Sequence, residues 1–181
     1  MTTNNQKLIN RAKAIRLLLL DVDGVLTDGR LYYGNNGEEL KAFNIQDGLG
    51  IKLLQRNNIE VGIITGRSSE LVARRASELG IELIVQGRED KLTALQETLN
   101  AMDKESRLQM EQIAFLGDDL PDVAVIHRVG LGVAVANARG FVAENAHWQT
   151  TAKGGHGAVR ELAEMILQAQ GKLDSTLSNY L

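Results

Sequence analysis

The chain has 181 residues, with 20 Lys and Arg against 23 Asp and Glu, a formal net charge of −3 and an isoelectric point near 5.7. That length suits one domain with a substantial core, and the mild acidity leaves no electrostatic footprint for nucleic acid. The absence of cysteine excludes a disulfide framework, a thiolate nucleophile and a thiolate metal site, and no apolar run is long enough to cross a bilayer.

Residues 1–16, with Asn4, Asn5, Gln6, Lys7, Asn10 and Arg11, lack the apolar core of a signal peptide, so a cytoplasmic protein is expected. Residues 7–14 predict a short helix. The run Ile15 to Leu20 predicts a strand buried on both faces. It stops abruptly at Asp21-Val22-Asp23-Gly24, where two carboxylates are two residues apart and a glycine lets the chain turn and offer backbone N–H groups to an anion. Residues 29–43 carry two strand-like runs around Asn35-Asn36-Gly37, a hairpin signal. A helix is expected from Gly48 to Asn57, with Asp47 available as a cap at its start.

Ile59 to Ile64 predicts the second buried strand, ending in Thr65-Gly66-Arg67. Ser68 or Ser69 is placed to cap a helix over 70–79, which Gly80 terminates. Ile81 to Val85 predicts a third strand, and Gln86-Gly87-Arg88-Glu89-Asp90 opens a helix bearing Lys91. A fourth strand runs from Met110 to Leu116 and ends in Gly117-Asp118-Asp119-Leu120-Pro121-Asp122, where Pro121 suits the first turn of a helix. Leu131 to Val135 predicts a fifth strand. A short helix from Ala138, an extended piece near Trp148-Gln149-Thr150 and a last helix to about Gln170 follow. The segment 171–181 reads as a flexible tail. Strands alternating with helices predict a three-layer, Rossmann-like α/β fold around a parallel sheet with right-handed crossovers.

A parallel sheet gathers its strand ends on one edge. Here that edge would hold Asp21, Asp23, Thr65, Arg88, Lys91, Asp118, Asp119 and Asp122, an inventory that fits phosphoryl transfer. A phosphate dianion about 4 Å from a carboxylate meets repulsion of roughly 8 kcal/mol at an effective dielectric near 20, so positive charge must be supplied. Asp21 and Asp118 offer hard oxygen ligands suited to Mg²⁺. Lys91 adds a cation, and the Thr65 hydroxyl and the Gly66 and Gly24 N–H groups point to phosphate binding. Asp21 is then the nucleophile, forming an aspartyl-phosphate. Asp23 is the acid that protonates the leaving alkoxide and the base that activates water. Thr65 alone would serve merely to end a strand, but its Thr-Gly-Arg context favours phosphate contact, whereas Lys52 and Arg88 equally read as solvated helix-surface cations. His127, His147 and His156 show no metal-ligand spacing.

The ordered motifs D-x-D-G-V-L-T-D-G, I-I-T-G-R, a lysine and G-D-D-x-x-D resemble those of haloacid dehalogenase superfamily phosphatases. By that resemblance the metal ligands are Asp21, the Asp23 backbone carbonyl and Asp118. Asp119 and Asp122 orient water ligands and Lys91. The hairpin, the stretch Asn44 to Lys52, Thr65-Gly66-Arg67, Arg75 and Gly154 to Glu161 further resemble the capless subgroup acting on sugar-acid phosphates, most of all on 3-deoxy-D-manno-octulosonate 8-phosphate, a lipopolysaccharide precursor. The resemblance implies substrate binding by Asp23, Gly24, Asn44, Asp47, Gly48, Lys52, Gly66, Arg67, Arg75, Arg88 and Lys91. Nine-carbon 9-phosphates, or a broad range of sugar phosphates, are the alternative substrates. Arg67, where relatives acting on those commonly have an acidic residue, favours the eight-carbon acid.

The spacing of the motifs leaves no room for a cap domain. Water exclusion from the site and cover for an exposed hairpin then point to a closed homo-oligomer. The resemblance implies a tetramer in which hairpins associate, Arg75 reaches a neighbour's site, and the tail folds over one. Two other classes fit less well. A phosphoacceptor signalling module would carry its acceptor Asp after the third strand, which here ends Val85-Gln86-Gly87. An inactive structural subunit would not need the complete reactive set.

Overall fold

A computed structural model describes residues 3–37, 39–102 and 108–181. The chain runs through α1 (Thr3–Ala14), β1 (Leu17–Leu20), β2 (Tyr32–Tyr33), β3 (Glu39–Leu40), α2 (Ile45–Arg56), β4 (Glu60–Ile64) and α3 (Glu70–Leu79). It continues through β5 (Leu83–Val85), α4 (Lys91–Ala101), β6 (Ile113–Gly117), α5 (Val123–Arg128), β7 (Leu131–Ala134), α6 (Gly140–Asn145), β8 (Trp148–Gln149), α7 (Ala158–Ala169) and α8 (Leu173–Ser178).

The four leucines of β1 explain the architecture. Alternate side chains of a strand face opposite sides, so Leu18 and Leu20 pack into one core layer with Val61, Ile63, Leu162 and Ile166, while Leu17 and Leu19 pack into the other with Leu95, Phe115, Val125 and Ile126. Both faces of the sheet are thereby covered by helices, as a wholly parallel sheet requires. The strand order is β5-β4-β1-β6-β7-β8, and every neighbouring pair is parallel. The extended piece near Trp148 is thus the sheet's sixth strand. The chain builds outward from β1 through β4 and β5, then returns to the other side of β1 as β6. That reversal opens a crevice at the carboxyl ends of β1 and β6, where α/β sheets bind ligands.

The hairpin is a separate two-stranded antiparallel unit, with Tyr32 opposite Leu40 and Tyr33 opposite Glu39. Among the described residues, no cap domain is inserted. Helix α2 begins at Ile45 rather than Gly48, because the Asn44 side chain accepts from the Gln46 N–H at 2.8 Å and starts the helix a turn earlier. Gly80 ends α3 in the left-handed conformation (φ 64°), as the sequence predicts. Ser69 occupies the N-cap position but its side chain makes no capping bond.

Residues 171–181, expected to be a flexible tail, instead contain α8, which docks on the end of α2. Asn57 Nδ2 donates to Thr176 Oγ1 at 3.0 Å, Lys172 Nζ donates to the Asn57 carbonyl at 3.1 Å, and Arg56 Nη1 donates to Tyr180 Oη at 2.7 Å. Thr176 is buried.

Candidate active site

Asp21 follows β1 directly, and its N–H donates to the Leu116 carbonyl of β6 at 3.1 Å, so the carboxylate is fixed at the mouth of the crevice. The chain then turns tightly. The N–H groups of Val25, Leu26 and Thr27 all donate to the Val22 carbonyl, at 3.2, 3.0 and 3.0 Å. Gly24 sits at the apex with φ 97°, and a Cβ there would run into the Asp118 carboxylate. Glycine therefore permits both the turn and the close approach of the β6 loop. On the other side Gly154 lies so near the Gly24 carbonyl that a Cβ would overlap it. The loop before α7 is in this way pressed against the catalytic turn.

Lys91, the first residue of α4, is buried between two carboxylates: Nζ lies 2.7 Å from Asp21 Oδ1 and 2.6 Å from Asp122 Oδ1. Asp122 is fully engaged, since its Oδ2 also accepts from the N–H groups of Asp118 at 2.9 Å and Asp119 at 3.2 Å. It therefore shapes the loop and anchors Lys91. Asp119 caps the same turn, its Oδ1 accepting from the Leu120 N–H at 2.8 Å. Pro121 lies in this short 3-10 turn (Leu120–Asp122), which leads into α5.

The electrostatics mark the cluster as built for a cation. Burial, then the Asp122 charge, push the Asp21 carboxyl up to about 6 against the pull of Lys91. Burial, then Asp21, Asp122 and Asp119, push Asp118 up to about 7. Burial pulls the Lys91 ammonium down, but Asp21 and Asp122 more than reverse this, leaving it raised and charged. Asp21, Asp118 and Asp122 each place an oxygen within 4.8 Å of the others. One lysine does not balance these carboxylates, and with Asp122 committed to Lys91, the donors left for a hard cation are Asp21 and Asp118.

A cavity of about 300 Å³ opens here, lined by Asp21, Asp23, Thr65, Gly66, Lys91 and Asp118 among others. Thr65 is buried; its N–H donates to the Val85 carbonyl at 2.9 Å and its carbonyl accepts from the Arg88 N–H at 3.1 Å, tying together the loops after β4 and β5. Arg67 lines the same cavity, with Nε 3.7 Å from Asp23 Oδ2 and Nη2 3.7 Å from Glu39 Oε1. Asp23 Oδ1 is held by Lys41, a residue that sequence reasoning passed over. The available signal was alternation: on the strand side of the hairpin Glu39 and Lys41 share one face, and that face turns to the catalytic loop.

The residues expected to bind substrate divide. Gly24, Gly66, Arg67 and Lys91 lie at the site. Asn44 is beside it, with Nδ2 donating to the Gly155 carbonyl at 3.2 Å. Asp47 is turned away: it is buried and accepts from the N–H groups of Gly157 at 3.2 Å and Arg160 at 2.9 Å, stapling α2 to the start of α7. Burial raises its carboxyl, against the backbone donors of Arg160, Gly157 and Val159. Gly48 is covered by the Arg75 guanidinium, which also pairs with Glu78 at 3.3 Å. Lys52 donates to the Leu79 carbonyl at 2.6 Å, at the C-terminus of α3. It lines a separate cavity of about 800 Å³ with Arg16, Glu60 and Glu82, at the N-terminal edge of the sheet. Lys52 is therefore at the edge opposite the catalytic one in its own chain. Arg88 is occupied by Asp90 at 2.7 Å and Glu97 at 2.7 Å.

Comparison with known proteins agrees with this geometry. Residues 81–162 match the family model described as haloacid dehalogenase-like hydrolase. The 3-deoxy-D-manno-octulosonate 8-phosphate phosphatase KdsC of Yersinia pestis is 52% identical over 166 residues, 92% of this chain and 87% of that one. The KdsC of Escherichia coli strain K12 is 50% identical over 166 residues, covering 92% and 86%. The crystal structure of 3-deoxy-D-manno-octulosonate 8-phosphate phosphatase from Moraxella catarrhalis, in complex with magnesium ion, phosphate ion and KDO, superposes with a TM-score of 0.93. It is 42% identical and covers 99% of this chain and 100% of that one.

Proposed function

The chain belongs to the haloacid dehalogenase-like hydrolases, in the family of the 3-deoxy-D-manno-octulosonate 8-phosphate phosphatases, and from that premise we propose that it removes phosphate from this eight-carbon sugar-acid phosphate. The observation that carries the reading is the buried Asp21–Lys91–Asp122 array beside Asp118 at the β1–β6 crevice.

In this reading the Asp21 carboxylate attacks phosphorus. A bond forms from its oxygen to phosphorus as the bond to the sugar oxygen breaks, and Asp23 gives its proton to the departing alkoxide. Asp23, now a carboxylate, takes a proton from the water that attacks the aspartyl-phosphate, releasing phosphate and restoring Asp21. Lys91, held by Asp122, stabilises negative charge on Asp21 and on the phosphoryl oxygens. The Thr65 hydroxyl and Gly66 N–H donate to those oxygens. Asp21, Asp118 and the Asp23 backbone carbonyl would hold Mg²⁺, which when bound supplies positive charge to the phosphoryl group. Most of the acceleration then comes from positioning and electrostatics.

Completion of the site by a second copy of the chain belongs to the same proposal. Tyr32, Tyr33 and Leu40 of the hairpin and Ile45 at the start of α2 are exposed, and an uncovered apolar hairpin calls for a partner. A homotetramer built on these hairpins would bring Arg75 of one subunit to the sugar carboxylate at another. Light scattering should then give a tetramer mass that Tyr33→Asp lowers; a wild-type monomer would remove this part.

The test of the function is Mg²⁺-dependent phosphate release, measured as kcat/KM. The eight-carbon acid 8-phosphate is compared with nine-carbon 9-phosphates and ordinary sugar phosphates. A large preference for the eight-carbon acid supports the reading. A flat profile removes the substrate, and substantial turnover by Asp21→Asn removes the nucleophile.

A further inference from the structure

The hairpin reaches further into the site than an association element needs to. Its Lys41 side chain is only 1% exposed, and it lies on Asp23 Oδ1 with its other face 3.3 Å from Glu39 Oε1. Arg67 Nε and Nη2 lie 3.7 Å from the remaining oxygen of Asp23 and from the same Glu39 oxygen. Two cations and two carboxylates thus form a closed ring in which each cation touches both carboxylates.

The two cations are not equivalent. The Arg67 side chain is 47% exposed and stands beyond hydrogen-bond distance of Asp23, and its Nη2 donates at 3.3 Å to the hydroxyl of Tyr33, itself an exposed residue. Such contacts contribute little and exchange readily for a ligand. Lys41 is enclosed, and a buried ammonium is tolerable only where it is paired. Glu39, two residues away in β3, would suffice as counter-ion if Lys41 served the hairpin alone. Glu39 also meets the ring at one oxygen, while Ser69 Oγ lies 3.5 Å from the other. The firm contact of Lys41 is instead the side chain assigned here to proton transfer.

We propose that Lys41 is the positioning residue of Asp23: it holds the acid/base carboxylate toward the cavity when Arg67 leaves the ring for the substrate. The hairpin is then part of the catalytic machinery of its own subunit, whatever it does between subunits. This inference rests on the phosphatase reading above.

The test compares two esters with Mg²⁺, by single-turnover experiments for release of the leaving group and by steady-state kinetics for kcat and KM. Loss of the sugar alkoxide from 3-deoxy-D-manno-octulosonate 8-phosphate needs a proton from Asp23, whereas nitrophenolate leaves p-nitrophenyl phosphate without one. In Lys41→Met, alcohol release from the sugar ester should slow on the order of 10²-fold, at the lower end of what positioned acid–base catalysis contributes. Nitrophenolate release should slow by less than about tenfold, KM for the sugar ester should stay within about twofold, and Lys41→Arg should recover most of the rate. Equal slowing with both esters would make Lys41 a scaffold residue only. A raised KM at unchanged kcat would make it a substrate ligand, and unchanged rates would leave Asp23 independent of it; each overturns the proposal. Should Lys41→Met not fold, Lys41→Met/Glu39→Gln removes one charge of each sign and carries the same comparison. Wild-type protein inert toward both esters would bring down the function and this inference together, whereas an active wild type isolates the inference.

Discussion

Asp118→Asn should stabilise the metal-free protein while removing its activity. The Asp118 carboxyl is displaced from 3.8 to about 7, by burial first and then by Asp21, Asp122 and Asp119, with Lys91 opposing. Between those pH values the folded state keeps a proton that the unfolded chain has released. Stability contributed by this group therefore falls as pH rises through that window, and the penalty is complete above it. At about 1.4 kcal/mol per pH unit, the full displacement corresponds to about 4 kcal/mol. The site retains some solvent access and the replacing amide is itself a half-buried polar group, so about 2 kcal/mol should be recovered at pH 8. The assay is urea unfolding of both proteins with a chelator, at pH 4 and pH 8. The two should nearly match at pH 4, and the variant should be the more stable at pH 8. Saturating Mg²⁺ should then stabilise the wild type, by about 2.7 kcal/mol at a hundred times Kd, and the variant much less. A variant less stable than wild type at pH 8 without metal, or a gain that does not change with pH, would refute the account of the carboxylate cluster.

Three further substitutions separate roles that the site places close together. Lys91→Met leaves Asp21 and Asp122 without their shared cation; breaking such a buried pair costs about 3–5 kcal/mol, and urea unfolding should show it along with loss of turnover. A cost below about 1 kcal/mol would show the pair to be weak. Asp47→Asn should cost about 1–2 kcal/mol through its bonds to the Gly157 and Arg160 N–H groups and leave KM unchanged; a raised KM would return Asp47 to substrate binding. Arg75→Ala should weaken turnover of the sugar-acid phosphate far more than that of p-nitrophenyl phosphate, and equal losses would sink its role in holding a neighbour's carboxylate.

The parts of this molecule that were legible in its sequence are those governed by local rules. The Leu17–Leu20 run is short, unbroken and stopped by a turn signal, which favours a doubly covered strand over a helix, and Gly24 supplies the positive φ that the turn after Asp23 uses. Once the sheet is parallel, Asp21, Thr65, Lys91 and Asp118 converge without further information. The tail was illegible for the opposite reason. Its order depends on Asn57 meeting Thr176 and Lys172, contacts spanning more than a hundred residues that leave no periodic trace. Asp47 illustrates the same limit: as a helix-start residue it reads as a cap or a ligand, yet its acceptors are spent on donors in the loop before α7 and in α7's first turn.

The charged residues divide along a similar line, and the division bears on specificity. Lys91 and Lys41 are both enclosed, and each sits on a carboxylate of the β1 loop, Asp21 and Asp23, to which a catalytic role is proposed. Arg88, in the loop before α4, pairs with Asp90 and with Glu97 of α4, Lys52 with the end of α3, and Arg75 with Glu78 over Gly48. Within one chain, then, the enclosed cations are committed to carboxylates, and Arg67 is the half-exposed cation that lines the cavity. A sugar acid brings a carboxylate as well as a phosphate, and one half-exposed arginine, shared with Tyr33, Asp23 and Glu39, is a thin basis for choosing it over other phosphate esters. In the proposed tetramer, discrimination would draw as well on groups from a neighbouring copy, Arg75 first among them. An uncapped site beside an exposed apolar hairpin is therefore expected to gain substrate choice, more than catalytic power, from association with further copies of the chain.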